Sequence, residues 1–310
     1  MKYCIGIDIG GTTVKMALFT SAGDMIDKWE IVTKTENEGI TILSDVAESV
    51  NGKLETHQIE KNDVCGCGIG VPAPVSDAGI VNGSANLGWK YKEVKREAEE
   101  LLGVPTSVGN DANVAALGEM WKGGGMGYQN LVMVTLGTGV GGGLIYKGKI
   151  INGSNGAGGE IGHICVNYNE EDSCGCGNHG CLEQYSSATG IVRVAKKRLA
   201  STEEYSTLRE SRISAKSVFD AYKAGDKVAS DIVDEVTQYL GHALANIAVI
   251  VDPEVVVIGG GVSRAGEVIT ENVEKHYKEK MFFANDKVKF VLATLGNDAG
   301  VYGAAKLVIG

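Results

Sequence analysis

Apolar residues in this chain fall into short runs broken by glycine. Cys4 to Ile9 is a continuous apolar run of strand length, Gly10-Gly11 interrupts it, and Val14 to Phe19 resumes with alternating character. That order predicts two strands joined by a tight turn. Between Glu38 and Gln58, Ile42, Val46 and Val50 recur at helical spacing and predict an amphipathic helix. Val64 to Val71 reads as a further strand, and Glu93 to Leu102 as a polar helix closed by Gly103 and Pro105. After Asp111, a helix over Ala112 to Met120 leads into the break Gly123-Gly124-Gly125. Leu131 to Leu136 and Gly142 to Tyr146 then repeat the strand, glycine turn, strand order of the N-terminus. Val228, Ile232, Val236 and Leu240 mark one buried helical face, and the strand Glu254 to Ile258 ends in Gly259-Gly260-Gly261. The pattern is α/β, with a hairpin carrying a Gly/Thr tip once in each half.

Composition narrows the classes. The 310 residues suit two domains, and 44% hydrophobic with 22% charged residues is ordinary globular usage. A net charge of −10 repels nucleic acid and anionic membranes and favours a small or neutral ligand. Met1 to Ile7 has none of the layout of a secretory signal, and the apolar stretch Ala243 to Val251 is too short to cross a bilayer. The expectation is a cytoplasmic protein without membrane or nucleic-acid partners. Seven cysteines in a chain read this way imply thiols and metal ligation rather than a disulfide framework.

The 44 glycines against 4 prolines cluster at the ends of strand-like runs. In the first loop, Gly10 and Gly11 let backbone N–H groups crowd phosphate oxygens, and Thr12 and Thr13 add donors. Asp8 can hold Mg²⁺ through water, and Lys15 follows on the returning strand. The same residues would also make a plain hairpin with a solvated Asp. Neither the Walker nor the Rossmann glycine spacing is present. Thr135, Gly137, Thr138 and Gly139 repeat this chemistry, and the two loops facing each other would clamp a polyphosphate. Gly259, Gly260 and Gly261 allow close approach of a base or ribose.

His163, Cys174, Cys176 and Cys181 stand eleven, two and five residues apart, a donor set suited to tetrahedral Zn²⁺. Cys165 and His179 compete for ligation, and reduced core cysteines or a redox pair are the other readings. Four protein ligands leave no open position, so such a zinc would be structural, holding Glu160 and Glu183. Cys65 and Cys67 read as packing residues. Asp111 lies before a helix, where it is either an N-cap or a general base.

The order Asp8-Ile9-Gly10-Gly11-Thr12, then Thr135 to Gly141, then Gly259-Gly260-Gly261 resembles the two-domain actin-like ATPase and sugar-kinase (ribonuclease H-like) fold, with an interdomain cleft. The Cys-rich element narrows the resemblance to the ROK family of bacterial sugar kinases and repressors, over nearly the whole chain. Within it, Gly109 to Asn113, Gly260 to Ser263 and Asn297 to Gly300 are most similar to the glucokinases of Gram-positive bacteria. The resemblance implies ATP with Mg²⁺ as donor, bound along Gly11, Thr12, Lys15, Thr138 and Gly260. It implies that Asp111 deprotonates the sugar 6-hydroxyl and Asn110 bonds neighbouring hydroxyls. Glu160, His163 and Glu183 would contact the sugar, His163 also serving the zinc, with Asn86 on the opposite lip. The implied domains are 1–114 plus 298–310, and 115–297, assembled as a homodimer or homotetramer.

Glucose is the favoured substrate, with N-acetylmannosamine and fructose as other hexoses and polyphosphate as another donor. One departure is Ala73, where many ROK glucokinases carry glycine, and its methyl would tighten the sugar side of the cleft. A sugar-sensing repressor would need a DNA-binding module ahead of the first loop, which starts within ten residues of Met1. An actin- or chaperone-like ATPase would have no use for the cysteine element.

Overall fold

The computed structural model describes residues 2–210 and 212–309. The chain opens with strands β1 (Tyr3–Ile9), β2 (Thr13–Thr20) and β3 (Met25–Val32). A short turn α1 (Glu36–Gly39) precedes helix α2 (Ile42–Thr56), then come β4 (Val64–Val71), α3 (Val94–Leu102), β5 (Thr106–Asn110) and α4 (Asp111–Lys122). A second meander follows as β6 (Leu131–Leu136), β7 (Val140–Tyr146) and β8 (Lys149–Ile150). Helices α5 (Glu183–Ser186), α6 (Ala188–Ala200), α7 (Ala215–Lys223) and α8 (Lys227–Val251) come next. The chain ends with β9 (Val255–Gly259), α9 (Glu267–Lys280), β10 (Lys289–Leu292) and α10 (Ala299–Ile309).

Among the described residues there are two five-stranded sheets, ordered β3-β2-β1-β4-β5 and β10-β9-β6-β7-β8. Both follow one plan: a three-strand meander, with two further strands added in parallel beside its first strand. The repeated hairpin of the sequence is therefore the start of each sheet. The chain forms two compact units, one of Met1–Gly127, Gly143–Gly159 and Leu295–Gly310, the other of Tyr128–Gly142 and Glu160–Thr294.

In the first unit β1 and β2 pair antiparallel with Asp8 opposite Lys15. The expected apolar face of α2, Ile42, Val46 and Val50, is buried against the sheet core of Ile5, Ile7, Ile9, Ile69 and Val71. That helix begins at Ile42 instead of Glu38, because Asn37, Glu38 and Gly39 take left-handed φ values of 51°, 60° and 63°. A distant contact fixes the turn: Trp89 Nε1 donates to the Gly39 carbonyl at 3.1 Å. In the second unit Val228, Ile232, Val236 and Leu240 are all buried on α8, as their spacing predicts. Among the described residues no helix is long and apolar enough to cross a membrane.

Candidate active site

In the first unit the functional candidates collect at the C-terminal ends of parallel strands. Register places Asp8 beside Gly70 and Gly70 beside Gly109, so the β1 turn and the Asn110-Asp111 pair share one sheet edge. Such an edge is where ligands enter open α/β sheets. The turn is closed by Gly10 N–H donating to Thr13 O at 3.0 Å and is held from β3's end by Thr33 Oγ1 donating to Gly10 O at 2.7 Å. Gly11 and Thr12 are exposed, with the exposed Asn86 beside them, its carbonyl oxygen 3.1 Å from where a Gly11 Cβ would stand.

At the start of α4 the N-cap position falls on the residue before Asp111. Asn110 is the N-cap of α4, its Oδ1 accepting from Ala112 N at 3.0 Å and Asn113 N at 3.1 Å. Asp111 is then the first helical residue, where the helix dipole favours a carboxylate. The Asn110 amide donates to Ala73 O at 3.3 Å, which fixes the loop before Asp111. Ala73 is buried, 5% exposed, in the first unit's core.

Asp8 is pushed from the ordinary 3.8 up to about 6, first by burial, then by the Asp111 charge, with Lys15 opposing. A site that holds two carboxylates this way favours a cation or a proton. The Lys15 ammonium itself donates to the Asn297 carbonyl at 3.3 Å. Two residues outside the sequence candidates complete the arrangement. A Cβ on Gly300, in the first turn of α10, would lie 2.5 Å from Asp8 Cγ and Oδ2. Glu119, fully buried on α4, accepts from Gly124 N at 2.8 Å and Leu295 N at 2.9 Å, anchoring the segment that leads to Gly300. A carboxylate inside Leu117-Gly118-Glu119-Met120-Trp121 was the available signal.

In the second unit β6 and β9 run parallel with Thr135 beside Gly259, which sets the second and third glycine turns side by side. Gly260 has φ +84°, and a Cβ there would meet Leu136 O at 2.5 Å, so the position requires glycine. The second turn is tied to the start of α6, where Ala188 N–H donates to Gly137 O and Thr189 Oγ1 to Thr138 O. Gly137 N–H bonds Gly139 O at 3.0 Å within the turn.

The ligand atoms of His163, Cys174, Cys176 and Cys181 all lie within 4.8 Å of one another, and neither Cys165 nor His179 belongs to this group. Cys176 and Cys181 sulfurs are 3.7 Å apart, and Cys174 Sγ is 3.9 Å from His163 Nδ1. A tetrahedron with Zn–S bonds of ~2.3 Å has sulfur edges of about 3.8 Å, so the donor set fits a zinc ion. Glu183 links this cluster to the second glycine turn: Oε2 accepts from Val140 N at 3.0 Å, and Oε1 is 3.8 Å from Cys174 Sγ. Glu160 is exposed, and its carbonyl accepts from His163 N at 3.2 Å. Cys65 and Cys67 stand on β4, outside the cluster.

This distribution of glycine turns, carboxylates and thiols agrees with a comparison against protein families. The ROK family profile matches residues 4–310. The chain belongs to the ROK family. A glucokinase of Halalkalibacterium halodurans is 43% identical over 99% of this chain and 95% of that protein. A glucokinase of Streptomyces coelicolor is 34% identical over 99% and 98%. Among solved structures, a ROK family glucokinase from Streptomyces griseus in complex with glucose and AMPPNP is 34% identical, with a TM-score of 0.75 and coverage of 99% of both chains. The fold of this ROK protein is accordingly the actin-like ATPase fold expected from its three glycine turns.

Proposed function

We propose that this ROK protein is an ATP-dependent hexose kinase whose acceptor is glucose, yielding glucose 6-phosphate and ADP. Full-length similarity to glucokinases supports the activity, and the sheet edge that the first glycine turn shares with the Asn110-Asp111 pair is the geometric observation that carries the chemistry. The catalytic demand is modest: phosphoryl transfer needs alignment, charge neutralisation and an acceptor for the hydroxyl proton. Asp111, fixed by the Asn110 cap, takes that proton as the sugar 6-oxygen bonds the γ-phosphorus and ADP leaves.

The first turn, with Gly10, Gly11, Thr12, Thr13 and Lys15, and the turns Thr135 to Gly139 and Gly259 to Gly261 serve the nucleotide. Asp8 would hold the Mg²⁺ that accompanies ATP, which would neutralise phosphate charge. Glu160, His163, Glu183 and Asn110 bind sugar hydroxyls, with Asn86 nearby. Zinc on His163, Cys174, Cys176 and Cys181 supplies a cross-link that holds the Glu183 segment. The site of action is the cytoplasm, where ATP and free hexose meet. A sugar-sensing repressor is the less supported reading.

The test is a coupled assay with ATP–Mg²⁺ over a hexose panel, beside Asp111→Asn. Glucose should be used far better than N-acetylmannosamine, mannose or fructose. The variant should lose about 10²–10⁴-fold in kcat with little change in glucose KM. A variant keeping a tenth of kcat removes Asp111 as base. A protein that binds ATP and zinc yet phosphorylates no sugar removes the enzyme reading and restores the sensor.

A further inference from the structure

We infer that this protein carries a second metal site, apart from the cysteine cluster, formed by His242, His276 and Glu279 where α8 meets α9 and suited to a zinc-class divalent cation. His276 and Glu279, three residues apart on α9, share one face, and His242 reaches them from α8. The two helices are in close contact beside it. A Cβ on Gly241 would lie 2.7 Å from Tyr277 N and Val273 O, and 2.8 Å from His276 Cβ.

Donor atoms converge. His242 Nε2 is 3.2 Å from Glu279 Oε2, and His276 Nδ1 is 3.1 Å from Glu279 Oε1. One ligand atom from each of the three residues lies within 4.8 Å of the other two. Metal–nitrogen and metal–oxygen bonds of ~2.0–2.2 Å give tetrahedral edges of about 3.4 Å, close to these separations.

The outer partners are also in place. His276 is 2% exposed, so packing fixes its ring, and its Nε2 lies 3.0 Å from Asp234 Oδ1. Lys275 Nζ pairs with the same carboxylate at 2.7 Å. An Nε2–H donating to Asp234 leaves the Nδ1 lone pair aimed at the Glu279 carboxylate, the arrangement of a carboxylate–histidine–metal unit. In that tautomer two acceptors face each other, and a cation between them satisfies both. A metal ion serves both imidazoles and the carboxylate together.

Two imidazoles and one carboxylate select zinc and its neighbours over Mg²⁺ or Ca²⁺. His242 and Glu279 are partly exposed, at 30% and 42% of their side-chain surface, so water can complete the coordination. The ion would pin α8 to α9 and stabilise the fold by mass action.

Equilibrium dialysis of the full-length protein against micromolar Zn²⁺ tests this. Wild type should bind one equivalent more than either His242→Gln or Glu279→Gln, whatever the cysteine cluster takes, since that cluster is common to all three. Asp234→Asn should keep the extra equivalent but weaken it by about 10–100-fold. The zinc-dependent rise in unfolding temperature should shrink in His242→Gln, while kinase activity stays unchanged. Equal stoichiometry in wild type and both variants overturns the site, as does a zinc-dependent shift that both variants retain.

Discussion

Asp8 costs the ligand-free protein stability at neutral pH, and that cost can be measured. Burial and the Asp111 charge push its carboxyl from 3.8 up to about 6. At 1.36 kcal/mol per unit, the difference corresponds to about 3 kcal/mol. The direction follows from proton linkage. Below 3.8 both folded and unfolded chains hold the proton, and Asp8 is neutral in its effect. Between 3.8 and about 6 the folded chain holds it and the unfolded chain does not, so stability falls as pH rises. Above about 6 the whole penalty is present.

Asp8→Asn keeps the shape and removes the ionisation. Without nucleotide or Mg²⁺, the variant should be more stable than wild type at pH 8 by up to about 3 kcal/mol, and the gap should close toward pH 4. Urea unfolding at several pH values, with the enzyme assay alongside, reads both sides of the exchange. The variant should be the more stable protein and the poorer kinase. An Asp8→Asn protein no more stable at pH 8, or a gap that does not change with pH, would refute the argument.

Two further perturbations address the supports of the site. Gly300→Ala introduces a Cβ 2.5 Å from the Asp8 carboxyl at a helical position that alanine otherwise favours. It should cost about 1–3 kcal/mol and reduce kcat/KM for ATP by about 10²-fold, read by urea midpoints and steady-state kinetics. Unchanged kinetics would show that Asp8 has room to move. Cys176→Ser should raise KM for ATP as well as for sugar, because Glu183 holds both the Val140 N–H and the neighbourhood of Cys174. An effect on the sugar KM alone would separate the second glycine turn from the cysteine cluster.

Much of this site was legible because its signals are local. The Gly10-Gly11 and Gly137 to Gly139 tips name their own turns, since a hairpin's geometry depends on a few adjacent residues. The spacing of His163, Cys174, Cys176 and Cys181 fits one short chain reversal, and their ligand atoms do converge. The apolar faces of α2 and α8 followed from periodicity. The strand Met25–Val32, with its alternating half-buried pattern, was equally local and was not read from the sequence.

Other features depend on partners far apart in the chain. The start of α2 is set by Trp89 bonding Gly39. The loop before Asp111 is held by the Asn110 amide donating to Ala73 O. Gly300 matters through the Asp8 carboxyl, and Glu119 through the Leu295 amide. By itself the sequence determined the kinds of chemistry this chain carries and the turns that present them, because backbone preference and donor identity belong to single residues and their neighbours. Only the tertiary structure decided which carboxylates stand together, which amides are already committed and which charges are costly. Those energies depend on distance and burial, and both are set by strand register and helix packing across the chain.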